Sequence, residues 1–216
     1  AQGDEIGNDE IPEDLESVLD ECGAAGLPRM HLDWHYRSRH ESLIAFSNHH
    51  YYQNRLLTFP SPEAGAAGLG VRCVRVNGVY ERAGSQQNPI EAEALCNEVL
   101  ARLLDPLRCQ QSLGVVTFSQ AQQVLIENRL DQARRERPEV EAAWHAASEP
   151  VFVKNLENVQ GDERDVILFS ICYGPDAQGR LFENYGPLNT QGGERRLNVA
   201  VTRARRELVV FTSVGP

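Results

Sequence analysis

Arginine is the residue type whose placement in this sequence points most directly to chemistry. The C-terminal run Glu194-Arg195-Arg196-Leu197-Asn198-Val199-Ala200-Val201-Thr202-Arg203-Ala204-Arg205 places Arg196 and Arg203 seven residues apart. On a helix that spacing is close to two turns, so both guanidinium groups leave the same face. The opposite stripe, Leu197, Ala200, Val201, Ala204 and Leu208, is apolar and suited to packing on a sheet. Guanidinium forks clamp anions with paired hydrogen bonds, and phosphate is the commonest such anion. An exposed face making ordinary surface ion pairs would show the same pattern, and this helix alone does not separate the two. A second point of interest is Gln160-Gly161-Asp162-Glu163. Gly161 permits a tight turn and close backbone approach. A plain turn between strands accounts for the glycine but not for Gln160 and Glu163 beside it. His31, His35, His40, His49 and His50 fit no standard metal spacing and come with no cysteine or carboxylate pattern, so no metal site is expected.

The elements that must position these residues can be read in order. Residues 1–11 offer almost nothing to bury and predict a flexible linker. Pro12 opens a short helix with Leu15, Val18 and Leu19 on one stripe, ended by Gly23, Gly26 and Pro28. His31 to Trp34 is a strand candidate, followed after Tyr36-Arg37-Ser38-Arg39-His40 by a helix through Phe46 to about Tyr52. Thr58 to Gly70 reads as a surface loop, and Val71 to Val76 as a strand near a sheet edge. Asn88-Pro89-Ile90-Glu91 is a capping-box start, with Glu91 expected to reach back to the cap. The helix it opens should face Ile90, Ala94, Leu95, Val99 and Leu103 to the core and stop at Asp105-Pro106.

Leu113 to Phe118 is a buried strand, and Ser119 with Gln122 caps the next helix, which runs to Arg137. Thr117 and Ser119 therefore fall at the carboxyl end of a strand, where open α/β sheets place ligands. A further short helix is expected within 139–149, then a strand Val151 to Val153. Val166 to Phe169 is apolar throughout, as a central parallel strand buried on both faces should be. A long glycine-rich loop, Gly174 to Gly193, precedes the arginine run, and Leu208 to Phe211 closes the sheet. Strands alternating with helices predict a three-layer α/β domain around a mostly parallel sheet.

Composition adds bounds. The chain has 216 residues, 41% of them hydrophobic, enough for one well-buried core. Net charge is −10, but residues 1–21 hold nine of the 31 acids and none of the 21 bases, so the remainder is nearly balanced at 22 against 21. Bulk charge therefore neither favours nor excludes nucleic acid. No run of about 18 apolar residues suggests a membrane span, and no secretory signal is recognisable. Five scattered cysteines fit reduced thiols in cytoplasm rather than a disulfide framework. We read residues 1–21 as an acidic linker with the start of a short helix, and 22–216 as one domain.

The segments RRLNVAVTRA, NLENVQGDERDVILFS and WHYRSRHESLIAFSN together resemble the second RecA-like domain of superfamily 1 helicases, a P-loop NTPase-like fold. The branch most similar is the Up-frameshift type, and within it large bacterial helicase-related proteins with additional domains. The likeness spans roughly residues 29–213, with the motifs in the family's order. It implies ATP and Mg²⁺ as cofactors, bound mainly by a first RecA-like domain, and single-stranded DNA as partner, with RNA the alternative. Carried over residue by residue, Arg203 is the arginine finger, and Arg37 and Arg196 sense the terminal phosphate. Gln160, Gly161 and Glu163 contact the nucleotide, while Thr117, Asn155 and Ser119 face the nucleic acid. The chain departs from the family at Ser38-Arg39-His40, where Met-His-Pro is usual, and at Asn155, Glu157 and Val159, where Thr, Asp and Phe are usual. No GxxxxGK[ST] phosphate loop is present. The chain is therefore expected to supply half an ATPase site and to be inactive alone. The second reading is a helicase-derived binding or scaffold module without ATPase activity.

Overall fold

The computed structural model describes residues 17–61 and 68–215. The linker expected over 1–11, Leu15 of the first helix stripe, and part of the 58–70 loop lie outside them. Contacts divide the chain into two units, Ala1–Asp33 and Trp34–Pro216. In the first, helix α1 (Val18–Ala24) is capped by Ser17, whose hydroxyl accepts from the Asp20 amide. Its apolar stripe is not a core face, because Val18 is 74% and Leu19 65% exposed.

The second unit contains a two-stranded parallel sheet and a five-stranded one. Strand β1 (Trp34–His35) pairs with β2 (Leu57–Thr58), and helix α2 (Ser42–His50) lies between them in sequence. The main sheet comprises β3 (Gly70–Arg75), β4 (Leu113–Thr117), β5 (Phe152–Asn155), β6 (Arg164–Ser170) and β7 (Ala204–Thr212). Its order is β3-β7-β6-β4-β5, with every pairing parallel. This is the α/β architecture of RecA-like domains, and β3 is an edge strand as its mixed composition predicts.

Two apolar cores sandwich this sheet, as required when both faces of a parallel sheet must be covered. One packs α3 (Pro89–Leu104) and α4 (Gln120–Glu136), through Leu95, Val99, Ile126 and Leu130, on Val115, Leu168 and Val209. Helix α5 (Pro138–Ala146) rests against α3 and α4. The other packs Leu43 of α2 and Ala200 of α6 (Gly193–Val201) on Val116, Ile167, Phe169 and Leu208. Among the described residues no helix is long and apolar enough to cross a membrane.

Two sequence expectations change here. The arginine helix is shorter than its pattern suggests: it ends at Val201, and Ala204 and Leu208 reach the core from strand β7. The Thr202 hydroxyl donates to the carbonyls of Asn198 and Val199, closing the helix. Ala204 is drawn into ladder register opposite Arg164. Arg196 and Arg203 thus share no helix face. The small apolar residues at 200, 201 and 204 satisfy a helical period and a strand period equally well.

The second change concerns α3. Asn88 does cap it, accepting from the Glu91 amide at 3.1 Å, but Glu91 does not reach back. Its carboxylate accepts from the Cys172 amide (2.6 Å), the Ser170 hydroxyl (2.7 Å) and the Ser213 hydroxyl (3.2 Å). The Asn88 amide instead donates to Gln122 of α4 at 2.9 Å. Ile90, expected in the core, is 49% exposed, and Ala92 and Cys96 take the inner positions.

Glu91 is fully buried, and burial pushes its carboxyl up from 4.5 to about 7, against hydrogen bonds from Cys172, Ser170 and Ser213 that favour the anion. A raised carboxyl pKa means the folded state holds more protons than the unfolded one between pH 4.5 and 7. Stability should therefore fall as pH rises through that window, by an amount on the order of 3 kcal/mol if this group acted alone. Glu91→Gln should flatten this slope while leaving the acid limb below pH 4 in place. Urea titrations at pH 5, 6, 7 and 8 measure it, and parallel slopes for both proteins would remove Glu91 as the cause.

Candidate active site at the amino edge of the sheet

Because every strand of the main sheet runs the same way, residues just before the strands gather at one edge. Glu163 immediately precedes β6 and Arg203 immediately precedes β7. Arg37 arrives from the loop after β1, which is fixed at two points. The His35 ring meets the Ser38 hydroxyl at 2.8 Å and accepts from the Ser38 amide at 3.2 Å, and the Arg39 amide donates to the Arg205 carbonyl at 2.8 Å. Burial, then the nearby Arg37 charge, lowers the His35 pKa, which keeps that ring neutral and able to accept.

The centre of the cluster is a carboxylate shared by two arginines. Glu163 pairs with Arg37 at 3.2 Å and with Arg205 at 3.6 Å. Arg205 also pairs with Asp165 at 3.4 Å and with Glu149, and donates to the Ser112 hydroxyl at 2.9 Å. Arg164 completes this base on Glu149 at 3.2 Å. Arg205 is therefore bound into the starts of β4, β5 and β6, and nothing in the sequence pattern had distinguished it from its neighbours.

Arg203 sits against the same cluster. Its Nε donates to the Val199 carbonyl at 2.7 Å and an Nη to the Thr202 hydroxyl at 3.1 Å, so one edge of the guanidinium caps α6. Among the described residues its Nη1 donates to nothing. Burial lowers its pKa, as does the Arg37 charge, while Glu163, Tyr52 and Asp162 favour the cation. Arginine nevertheless stays protonated. Two guanidinium groups drawn together in a half-buried place make a local excess of positive charge that one carboxylate does not cancel, and an anion with several oxygens would relieve it. Arg196, on α6, donates to the Thr190 hydroxyl at 3.1 Å.

The loop from β5 to β6 joins this edge to the opposite one. Residues 156–163 pass from the carboxyl end of β5 to the amino end of β6 without a helix, across the intervening β4. Leu156 and Val159 pin the loop into the core below α2 and α6, and Lys154 holds Asp162 at 2.5 Å. Gly161 has φ +90°, with open space where a Cβ would stand, so the turn demands glycine through its backbone conformation and not through crowding. Gln160 beside it is exposed.

The three residues assigned to nucleic acid lie at the other end of the sheet, with their side chains engaged locally. The buried Thr117 hydroxyl donates to the Ser119 carbonyl at 2.9 Å. Asn155, also buried, accepts from the amides of Glu157 and Asn158 at 3.0 and 3.2 Å, which shapes the loop start. Ser119 caps α4, its hydroxyl accepting from the Gln122 amide at 3.2 Å. Of the three, Ser119 alone is not buried.

Among the described residues no group of three or more His, Cys, Asp and Glu could hold a metal ion. Asp162 and Glu163, the acids nearest Arg203, are already paired with Lys154 and with two arginines. These residues do not fit a Mg²⁺ site, and their chemistry is that of binding and orienting an anion.

Comparison with known proteins identifies the family of the chain. The chain is 38% identical over 185 residues to an uncharacterized ATP-dependent helicase, MG140 homolog, of Mycoplasma pneumoniae, covering 83% of this chain and 16% of that protein. It is 37% identical over 187 residues to the corresponding MG140 helicase of Mycoplasma genitalium, again 83% of this chain and 16% of that protein. Regulator of nonsense transcripts 1 of Dictyostelium discoideum is 24% identical over 184 residues, 80% of this chain and 13% of the other. The chain thus spans about a sixth of the length of these two curated helicase relatives. A family model described as an AAA domain matches residues 15–214, nearly the whole sequence, and the chain belongs to that family.

Proposed function

We propose that this chain is the second motor half of an ATP-dependent helicase or translocase acting on single-stranded nucleic acid. Arg203 serves as arginine finger, and Arg37 and Arg196 read the terminal phosphate. The observation that carries the reading is that Arg37, ion-paired with Glu163 just before β6, and Arg203, just before β7, lie close enough for each to feel the other's charge and that of Glu163. In this reading the phosphate loop and Mg²⁺ ligands come from a partner RecA-like domain, which closes over the amino edge of the sheet when ATP is bound. Closure displaces Arg37 from Glu163 toward the γ-phosphate. Glu163, with Gln160 and the Gly161 backbone, then meets the nucleotide. Arg203 swings its uncapped edge onto the charge that develops as the phosphoryl group leaves.

The crossover 156–163 gives this scheme its coupling. A push on Glu163 at one edge is transmitted through a short loop, anchored by Leu156 and Val159, to Asn155 at the other. Single-stranded DNA is the substrate we favour, with RNA as the other arm of the test. The departures at Ser38, Asn155 and Val159 support the second reading, a module that binds strands without hydrolysis.

Strand-stimulated ATP hydrolysis by the protein containing this domain and its phosphate-loop partner distinguishes the two. Arg203→Ala should lower turnover by roughly 10³- to 10⁵-fold while ATP still binds. Strand binding without hydrolysis by either form would establish the scaffold reading. Arg37→Ala should act on binding as well as on turnover, raising KM for ATP about tenfold or more, as expected for a lost charge-assisted hydrogen bond. A KM unchanged in that variant would confine Arg37 to its pairing with Glu163.

A further inference from the structure

We propose that Arg82, held over Phe182 at the carboxyl end of the sheet, is a phosphate contact for single-stranded nucleic acid, with the Phe182 ring offering a stacking surface to an adjacent base. The inference deepens the motor reading and rests on it for the identity of the ligand. Arg82 lies in the loop after β3 and Phe182 in the loop after β6, so both leave the sheet at the end opposite Arg203. The guanidinium carbon stands 4.1 Å from the Phe182 ring centroid and 5.9 Å from that of Tyr80.

Among the described residues Arg82 combines a buried, unpartnered Nε with a seat over an aromatic ring. Its Nε is buried without a hydrogen-bond partner, and among the described residues no carboxylate pairs with it. The neighbouring acids are committed elsewhere: Glu81 takes the Ser85 hydroxyl at 2.6 Å, and Asp176 holds Arg180 at 2.9 Å. A cation resting on an aromatic face retains part of its electrostatic stabilisation there. It still lacks the acceptor oxygens that a guanidinium ordinarily finds, and phosphate supplies them.

A chain of packed rings lies beneath Tyr80. Tyr80 packs edge-on to Tyr173 at 5.1 Å, Tyr173 meets Phe118 at 6.4 Å, and Phe118 meets Phe169 of β6 at 5.3 Å. Beside Arg82, Phe182 is 37% and Leu181 49% exposed. An exposed ring next to an unneutralised guanidinium is the pairing by which single strands are held, base on ring and phosphate on cation.

Backbone strain falls at the same place. Gln86 and Cys172 have φ of 56° and 68°, in the left-handed region, and touch through the Cys172 thiol and the Gln86 carbonyl at 3.8 Å. The same thiol meets the Ser119 hydroxyl at 3.6 Å, which joins the Arg82 loop to the cap of α4. Non-glycine residues in this region are strained, and such strain clusters at ligand clamps and active sites.

The test is fluorescence anisotropy of the full chain with labelled oligo-dT and oligo-U of about twenty nucleotides, across roughly 50 to 200 mM salt. Arg82→Gln should weaken binding about tenfold or more and reduce the slope of log affinity against log salt by about 0.7, the contribution of one phosphate contact to a single strand. Arg82→Lys should keep the slope, and Phe182→Ala should weaken binding roughly 5- to 100-fold with the slope unchanged. Wild-type affinity and slope in Arg82→Gln would overturn the proposal, as would absence of strand binding by the wild-type chain. Loss of slope in Arg82→Lys would also overturn it, by showing a merely structural role. The dT and U arms identify which strand is preferred. Strand-stimulated turnover with a silent Arg82 sinks this inference alone, and Arg82-dependent binding without turnover sinks the motor alone.

Discussion

The parallel pairing of β6 with β7 is the constraint on which the rest of the molecule depends. Arg164 stands opposite Ala204, so the residues that precede both strands, Glu163 and Arg203, arrive at the same edge. Antiparallel pairing would have sent one of them to the far end of the sheet. Arg205 then reinforces the edge from below, carrying Glu163, Asp165 and Glu149 on one guanidinium. These ion pairs are half-exposed and each contributes modestly to stability. Their larger effect is to fix where Glu163 points, and through it Arg37.

The same parallel geometry gives the sheet two chemically different ends. The amino end gathers cations and carboxylates in pairs and networks. The carboxyl end is held by a buried polar lattice in which Asn88, Glu91, Gln122, Ser170, Cys172 and Ser213 join the tops of α3, α4, β6 and β7. A buried carboxylate without a cation is a costly component of such a lattice. It holds together because all its partners are donors, two hydroxyls and a backbone amide among them. Burial of Thr117 and Asn155 belongs to the same arrangement: at this end the polar groups of the strand tips are used internally, and side chains from the flanking loops are the ones that reach solvent.

Between the two ends runs a loop of unusual economy. Parallel strands are commonly joined by a dozen or more residues with a helix. Residues 156–163 cross with far fewer, because β5 is only four residues long and Leu156 and Val159 bury directly on the sheet. A segment this short, pinned in the middle, has little freedom to absorb displacement at either end.

Much of the fold was legible in the residues themselves. The continuous apolar run of β6, the mixed pattern of β3 and the caps at Asn88 and Ser119 are local signals, written in residue type and period, and they determine which segments are helix and strand. The sequence also carried the arginines as groups suited to an anion, and the Gln160 to Glu163 turn as a place of close backbone approach. What it could not convey was spatial. The end of α6 at Val201 was hidden because Ala200, Val201 and Ala204 suit either period, and only the ladder with β6 chooses the strand. Glu91 looked like a cap because three-residue spacing is all a capping box shows, whereas its partners at 170, 172 and 213 are remote in sequence. Arg82 carried no motif at all. Its isolation from carboxylates and its seat on Phe182 exist only once two loops a hundred residues apart leave the same end of the sheet, which local chemistry does not dictate and tertiary packing does.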